Sequence, residues 1–168
     1  TGTVFAFDPD ARRMDLLKRL TGRAGASCIE TRNMSFLDAD TTAPCYAQVT
    51  HALVDPSCSG SGTEVNRGDI MLRDALADED DDSEHDAHDV ERVEKLAAFQ
   101  KSVLTHAFKF PEVQRISYST CSVHIEENEQ VVRDVLDSAK ERGFRLTRAL
   151  PKWHRRGYVI DSGNPSMT

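Results

Sequence analysis

Short apolar runs alternate with longer amphipathic ones along this chain, and each run stops at a small or turn-forming residue. Thr3-Val4-Phe5-Ala6-Phe7 is β-branched and aromatic and reads as a strand. Pro9 suits the first turn of a helix running to about Leu20, with Met14, Leu16, Leu17 and Leu20 on its apolar face. Gly22 and Gly25 end that helix. Ser27 to Thr31 reads as a second strand, Val49 to Val54 as a third, Val113 to Ser119 as a fourth, and Phe144-Arg145-Leu146 as a short fifth. Val90 to Phe108 repeats Val93, Leu96, Ala97, Gln100, Val103, Leu104 and Ala107 near helical spacing, and Phe110-Pro111 stops it. Glu126 to Arg142 is a further amphipathic helix, with Val131, Val132, Val135 and Leu136 inward, acids in its first turn and Gly143 as its cap. The order is strand, helix, strand, strand, helix, strand, helix, strand. It predicts a layered α/β fold with a mostly parallel sheet.

Composition changes that picture only locally. At 168 residues, 39% hydrophobic and 29% charged, the chain has the size and make-up of one soluble globular domain. No run approaches the ~20 apolar residues of a membrane span, and no secretory signal is visible. The chain begins at Thr1 directly on a strand, the expectation for an excerpt of a longer protein. The net charge of −7 is unevenly spread, because Asp78 to Glu91 holds nine acidic residues and neither Lys nor Arg. Asp78 to Asp89 therefore reads as a disordered surface insertion, one that repels phosphate and lies off any RNA path. The remainder is close to neutral, which leaves a nucleic-acid partner open. Lys152-Trp153-His154-Arg155-Arg156 is basic with an aromatic inside it. It reads first as an ordinary solvated loop, with a contact to RNA phosphate and base as the alternative.

The candidate chemistry lies at two strand ends. His51-Ala52-Leu53-Val54 runs into Asp55-Pro56-Ser57-Cys58-Ser59-Gly60-Ser61-Gly62, and Ile116-Ser117-Tyr118-Ser119 runs into Thr120-Cys121-Ser122. If both strands share one parallel sheet, both thiols sit at the edge where open α/β sheets bind ligands. The dinucleotide pattern GxGxxG fails because Val65 holds its third Gly position, no GxxxxGK[ST] is present, and Ser59 spoils a GxSxG elbow. Cys28 and Cys45 read as packing or incidental, and no cysteine or histidine spacing resembles a zinc site. Asp8 is either an N-cap or a carboxylate holding ribose hydroxyls at a strand end. Asp38 is either a turn residue or a ligand to an adenine amine.

Two thiols and a carboxylate suit a specific problem. C5 of cytosine is a poor nucleophile, but a thiolate adding to C6 makes an enamine whose C5 can attack a methyl donor. A carboxyl group holds N3 and the exocyclic amine, and a further acid–base group helps remove the C5 proton and release the thiol. Cys121, Asp55 and Cys58 fit that set; spacing does not choose which thiol attacks.

Asp55 to Gly62, the Tyr118-Ser119-Thr120-Cys121-Ser122 loop and the following Glu126-Glu127-Asn128-Glu129 strongly resemble the Sun-domain family of RNA cytosine-5 methyltransferases. The helix with Phe99-Gln100 and the strand ends at Asp8 and Asp38 agree. The resemblance covers most of the chain outside the acidic insertion and points to the eukaryotic branch that modifies large-subunit ribosomal RNA. It implies a Rossmann-like class I methyltransferase fold, a mostly parallel sheet with helices on both faces. Residues 1–168 would form part of that catalytic domain, with the Gly-rich donor loop upstream, a closing strand downstream, and weak donor binding by this stretch alone. It further implies Cys121 as nucleophile, Cys58 as the group assisting product release and Asp55 as the cytosine ligand. Asp8 would hold the ribose and Asp38 the adenine amine of S-adenosylmethionine, and Asp55 would be a third cofactor-binding residue. The implied partner is ribosomal RNA or a pre-ribosome in the nucleolus, with no metal and no membrane; oligomeric state leaves no signal. A non-catalytic ribosome-assembly factor on the same fold is the alternative, although both thiols are kept. A small-molecule methyltransferase or nucleotide-binding oxidoreductase is a weaker one.

Overall fold

The computed structural model describes residues 2–64, 82–154 and 156–158, with backbone alone for 64 and 82–88. The chain divides into two compact units, Thr1–Tyr46 and Ala47–Thr168.

In the first unit, strand β1 (Val4–Phe7) pairs in parallel with β2 (Ile29–Arg32), in the register Val4↔Ile29 to Phe7↔Arg32. A parallel pair needs a crossover, and helix α1 (Ala11–Arg23) supplies it, burying Met14. Phe5 meets Tyr46 edge-on at 5.0 Å and Phe7 meets Phe36 at 5.3 Å, so the aromatic side chains of β1 anchor the loops that follow β2. Asp10, rather than Asp8, caps α1. Its carboxylate accepts from the N–H groups of Arg12 at 2.8 Å and Arg13 at 3.0 Å. Pro9 accordingly precedes the cap and is not in the first helical turn. Gly25 has φ 67 and closes the other end of α1.

In the second unit, β3 (His51–Val54) pairs in parallel with β4 (Arg115–Tyr118), Val54 opposite Tyr118. The crossover contains a single helical turn, Ser61–Glu64, and the long helix α2 (Asp82–Ala107). Helix α3 (Glu129–Glu141) packs against α2. Val93, Ala97, Val103 and Leu104 of α2 and Val131, Val135 and Leu136 of α3 are buried, as is Val54. The apolar spacing read from the sequence is therefore the face that makes this core. Lys101 and Asp134 pair across the helices at 2.6 Å, which holds the Asp134 carboxyl below its usual range.

Three further expectations change. The short strand at Phe144–Leu146 does not form: Phe144 packs on Phe108 at 5.1 Å, and its N–H closes α3 by donating to Ala139 O at 2.9 Å. Helix α2 starts at Asp82, inside the acidic stretch expected to be disordered, while residues 78–81 lie outside the described residues. The helix expected from Glu126 instead begins at Glu129. It follows a tight turn, Ile125–Glu127, and an Asn128 with φ −116 and ψ −97. Both strand pairs among the described residues are parallel, as the pattern predicts.

Candidate active site

The in-register end of β3 and β4 delivers two loops to one edge. Asp55-Pro56-Ser57-Cys58 leaves after Val54, and Ser119-Thr120-Cys121 leaves after Tyr118. The Ser119 N–H extends the ladder to Val54 O at 3.0 Å. Cys58 Sγ and Cys121 Sγ then stand 3.2 Å apart, in hydrogen-bonding contact. Asp55 joins them, because its Oδ1 accepts from Ser119 Oγ at 3.0 Å. The three residues expected at the reaction centre thus share one strand edge. Cys121 is exposed and Cys58 half-buried.

Small residues let the loops touch. The Gly62 N–H donates to Cys121 O at 2.9 Å, and a Cβ on Gly62 would lie 2.7 Å from that oxygen. Ser59, Ser61 and Ser122 form a hydroxyl cluster with Oγ separations of 3.1 to 3.3 Å. Gly60 has φ 77, a backbone form that suits glycine.

Beneath the loops lies a polar centre that the sequence reading did not assign to the site. Glu127 and Gln100 are each 0% exposed. Gln100 Nε2 donates to Glu127 Oε1 at 2.8 Å and to Ser57 O at 3.0 Å. The Ser59 N–H donates to Glu127 Oε1 at 2.9 Å. Tyr118 OH lies 3.1 Å from Gln100 Oε1 and donates to Glu127 O at 2.6 Å. Burial alone would raise the Glu127 carboxyl, but hydrogen bonds from Ser122, Ser59 and Gln100 outweigh it and hold it below the usual range. The buried group is therefore an anion. Burial, then the Glu127 charge and Cys58, push the Tyr118 hydroxyl well above its usual value, so it stays a donor. The signal for this centre was Gln100, an amide inside an apolar helical stripe.

The hydrogen bond with Cys58, followed by loss of solvent, raises the Cys121 thiol above its ordinary value. The Cys121 thiol therefore holds its proton more tightly, and its thiolate forms only when that proton is removed.

Asp8 and Asp38 lie in the first unit. Asp8 directly follows β1; its Oδ1 accepts from the Asp10 N–H at 2.9 Å and its Oδ2 pairs with Arg13 at 2.8 Å. Asp38 ends a short turn, Phe36–Asp38, opened by Ser35. In the basic segment, Trp153 is exposed, while Arg156 donates to the carbonyls of Ala149, Leu150 and Pro151 and so closes its own loop; Arg155 lies outside the described residues.

The sequence model of the family described as "16S rRNA methyltransferase RsmB/F" matches residues 1–151. The chain belongs to the RsmB/F family. It is 42% identical over 165 residues to the 25S rRNA (cytosine-C(5))-methyltransferase rcm1 of Schizosaccharomyces pombe, across 98% of this chain and 34% of that protein. It is also 42% identical over 163 residues to the 28S rRNA (cytosine-C(5))-methyltransferase of Mus musculus, across 97% of this chain and 32% of that protein. The chain thus spans about a third of the length of these curated relatives. Two solved structures share the RsmB/F chain's fold. One is the crystal structure of PH0851, with TM-score 0.61, 24% identity and coverage of 82% of this chain and 28% of that one. The other is a methyltransferase homolog protein from Pyrococcus horikoshii, with TM-score 0.53, 24% identity and coverage of 81% and 37%.

Proposed function

We propose that the protein methylates C5 of a cytosine in large-subunit ribosomal RNA, with S-adenosylmethionine as donor and a covalent bond between Cys121 and C6. The reading rests above all on the 3.2 Å contact between Cys58 and Cys121 at the edge of a parallel strand pair, with Asp55 tied to the Cys121 loop. Kinship with ribosomal RNA cytosine-5 methyltransferases supports the substrate class, and the nucleolus is the compartment that substrate implies.

The roles follow from the chemistry of the groups. Cys121 loses its proton and its Sγ bonds to C6, which moves electron density onto the ring. Asp55 holds N3 and the exocyclic amine and offsets that density. S-adenosylmethionine would supply an electrophilic methyl group, which C5 bonds as the donor sulfonium becomes a neutral thioether. Cys58, once its own proton has gone to solvent, takes the C5 proton; the C5–H electron pair forms the C5–C6 double bond as the Cys121–C6 bond breaks and its pair returns to sulfur. Asp8 fits the donor's ribose, because the Asp10 N–H and Arg13 occupy one site on each of its carboxylate oxygens and leave others open. Asp38 is the proposed ligand of the adenine amine.

Covalent trapping tests the reading. The full-length protein, incubated with ribosomal RNA containing 5-azacytidine, is expected to give a denaturant-stable adduct. Cys121→Ala should lose it, and Cys58→Ala should accumulate an adduct on ordinary RNA. Loss through Cys58→Ala alone would reverse the two roles. A folded wild type that traps no RNA would leave the assembly-factor reading in its place.

A further inference from the structure

Glu127 and Asn128 are neighbours in the chain, yet Glu127, with its partner Gln100, holds both flanks of Cys58 and Asn128 both flanks of Cys121, with the Ser122 hydroxyl as Glu127's contact on the Cys121 side. On one side, Glu127 accepts from the N–H of Ser59, and its partner Gln100 donates to the carbonyl of Ser57, at 2.9 and 3.0 Å. Ser57 and Ser59 are the two residues flanking Cys58. On the other side, Asn128 Oδ1 accepts from Thr120 Oγ1 at 2.6 Å and its Nδ2 donates to Ser122 O at 2.9 Å. Thr120 and Ser122 are the two residues flanking Cys121. Asn128 Nδ2 also donates to His124 O at 2.8 Å, which fixes the amide plane.

The local backbone explains how adjacent side chains part. Asn128 leaves helical geometry, at φ −116 and ψ −97, between the turn Ile125–Glu127 and α3. That break sends the Glu127 side chain into the interior, where it is 0% exposed, while Asn128 stays half-buried against its own loop. A buried carboxylate without solvent is tolerated only where donors satisfy it. Here those donors come from the Cys58 loop, from Gln100, and from the Ser122 hydroxyl.

We infer that Glu127 and Asn128 are positioning residues with separate duties: Glu127, through Gln100 and Ser59, aims Cys58, and Asn128 aims Cys121. The inference rests on the two-thiol reading above. If Cys121 attacks and Cys58 serves release, the two residues fail at different stages. Loosening the Cys58 loop leaves attack intact and slows release. Loosening the Cys121 loop prevents attack.

The test compares turnover with adduct yield in the full-length protein. Glu127→Gln should lower methyl transfer roughly 10- to 100-fold, the effect of a sub-ångström misplacement, while covalent adduct on ordinary RNA rises above wild type. Asn128→Ala should lower methyl transfer and 5-azacytidine trapping together. Gln100→Met, which keeps side-chain volume but removes the donations to Ser57 O and Glu127 Oε1, should repeat the Glu127→Gln pattern and serves if that variant does not fold. A purely structural role predicts that adduct and turnover fall in proportion in every variant, and that result overturns the inference. So does wild-type trapping by Asn128→Ala. Failure of the underlying reading looks different: wild type itself would form no adduct, or Cys58→Ala would fail to accumulate one.

Discussion

Gly62→Ala isolates the closest approach between the two cysteine loops. Gly62 has ordinary backbone geometry, so alanine meets no conformational penalty there; the whole effect comes from contact. The new Cβ would sit 2.7 Å from Cys121 O, 3.4 Å from its carbonyl carbon and 3.5 Å from Val123 Cγ1. To regain an ordinary contact, the Cys121 carbonyl must retreat by roughly 0.7 Å. The obstacle is backbone, so no rotamer change relieves it. The retreat also breaks the 2.9 Å bond from the Gly62 N–H. Overpacking of this kind costs about 1–3 kcal/mol, and the lost hydrogen bond adds about 1 kcal/mol. The sulfurs are only 3.2 Å apart, so a shift of that size is a large fraction of their separation. Turnover should fall by up to about 100-fold, and the thermal midpoint should drop. Gly22→Ala is the control, since nothing lies within 4 Å of the Cβ it would add. Methyl transfer and adduct yield would be measured on ribosomal RNA beside a thermal melt. A Gly62→Ala protein that methylates within about twofold of wild type at an unchanged melting temperature refutes this reasoning.

The Cys121 thiol is raised first by its hydrogen bond with Cys58. Cys58→Ala should therefore shift the pH profile of Cys121 alkylation by iodoacetamide toward lower pH; an unmoved profile counts against the pairing. Glu127 has a folded-state pKa below its ordinary value, so its contribution to stability is present above the unfolded pKa and is lost as pH falls through the folded one. The melting-temperature gap between wild type and Glu127→Gln should accordingly narrow below the usual glutamate range, whereas a constant gap across pH denies the anion. Asp8→Asn should weaken S-adenosylmethionine binding by about tenfold or more in calorimetric titration. It should cost under about 1 kcal/mol of stability, because Arg13 is largely exposed; unchanged donor affinity removes Asp8 from the proposed donor site.

The parallel pairing of the two cysteine strands was legible because each apolar run ends abruptly in small polar residues, a pattern that marks a strand's loop edge. The cap of α1 was harder. Asp8 and Asp10 flank Pro9, and only the reach to the Arg12 and Arg13 N–H groups selects Asp10. Phe144–Leu146 had strand-like chemistry but too little length to oppose the packing of Phe144 on Phe108. Glu127 was least legible. It stands among Glu126, Asn128 and Glu129, and hydropathy ranks it no differently from an exposed first-turn acid. Its burial is decided by Ser59, 68 positions away in the chain. Gln100 alone hinted at that centre.

The register of β3 against β4 sets a tolerance. A slip of one residue moves a strand by ~3.3 Å, as much as the 3.2 Å between the sulfurs. One step out of alignment would roughly double the gap or drive the loops into collision. An insertion or deletion of a single residue between Val54 and Cys58, or between Tyr118 and Cys121, would therefore put the thiols out of reach of each other.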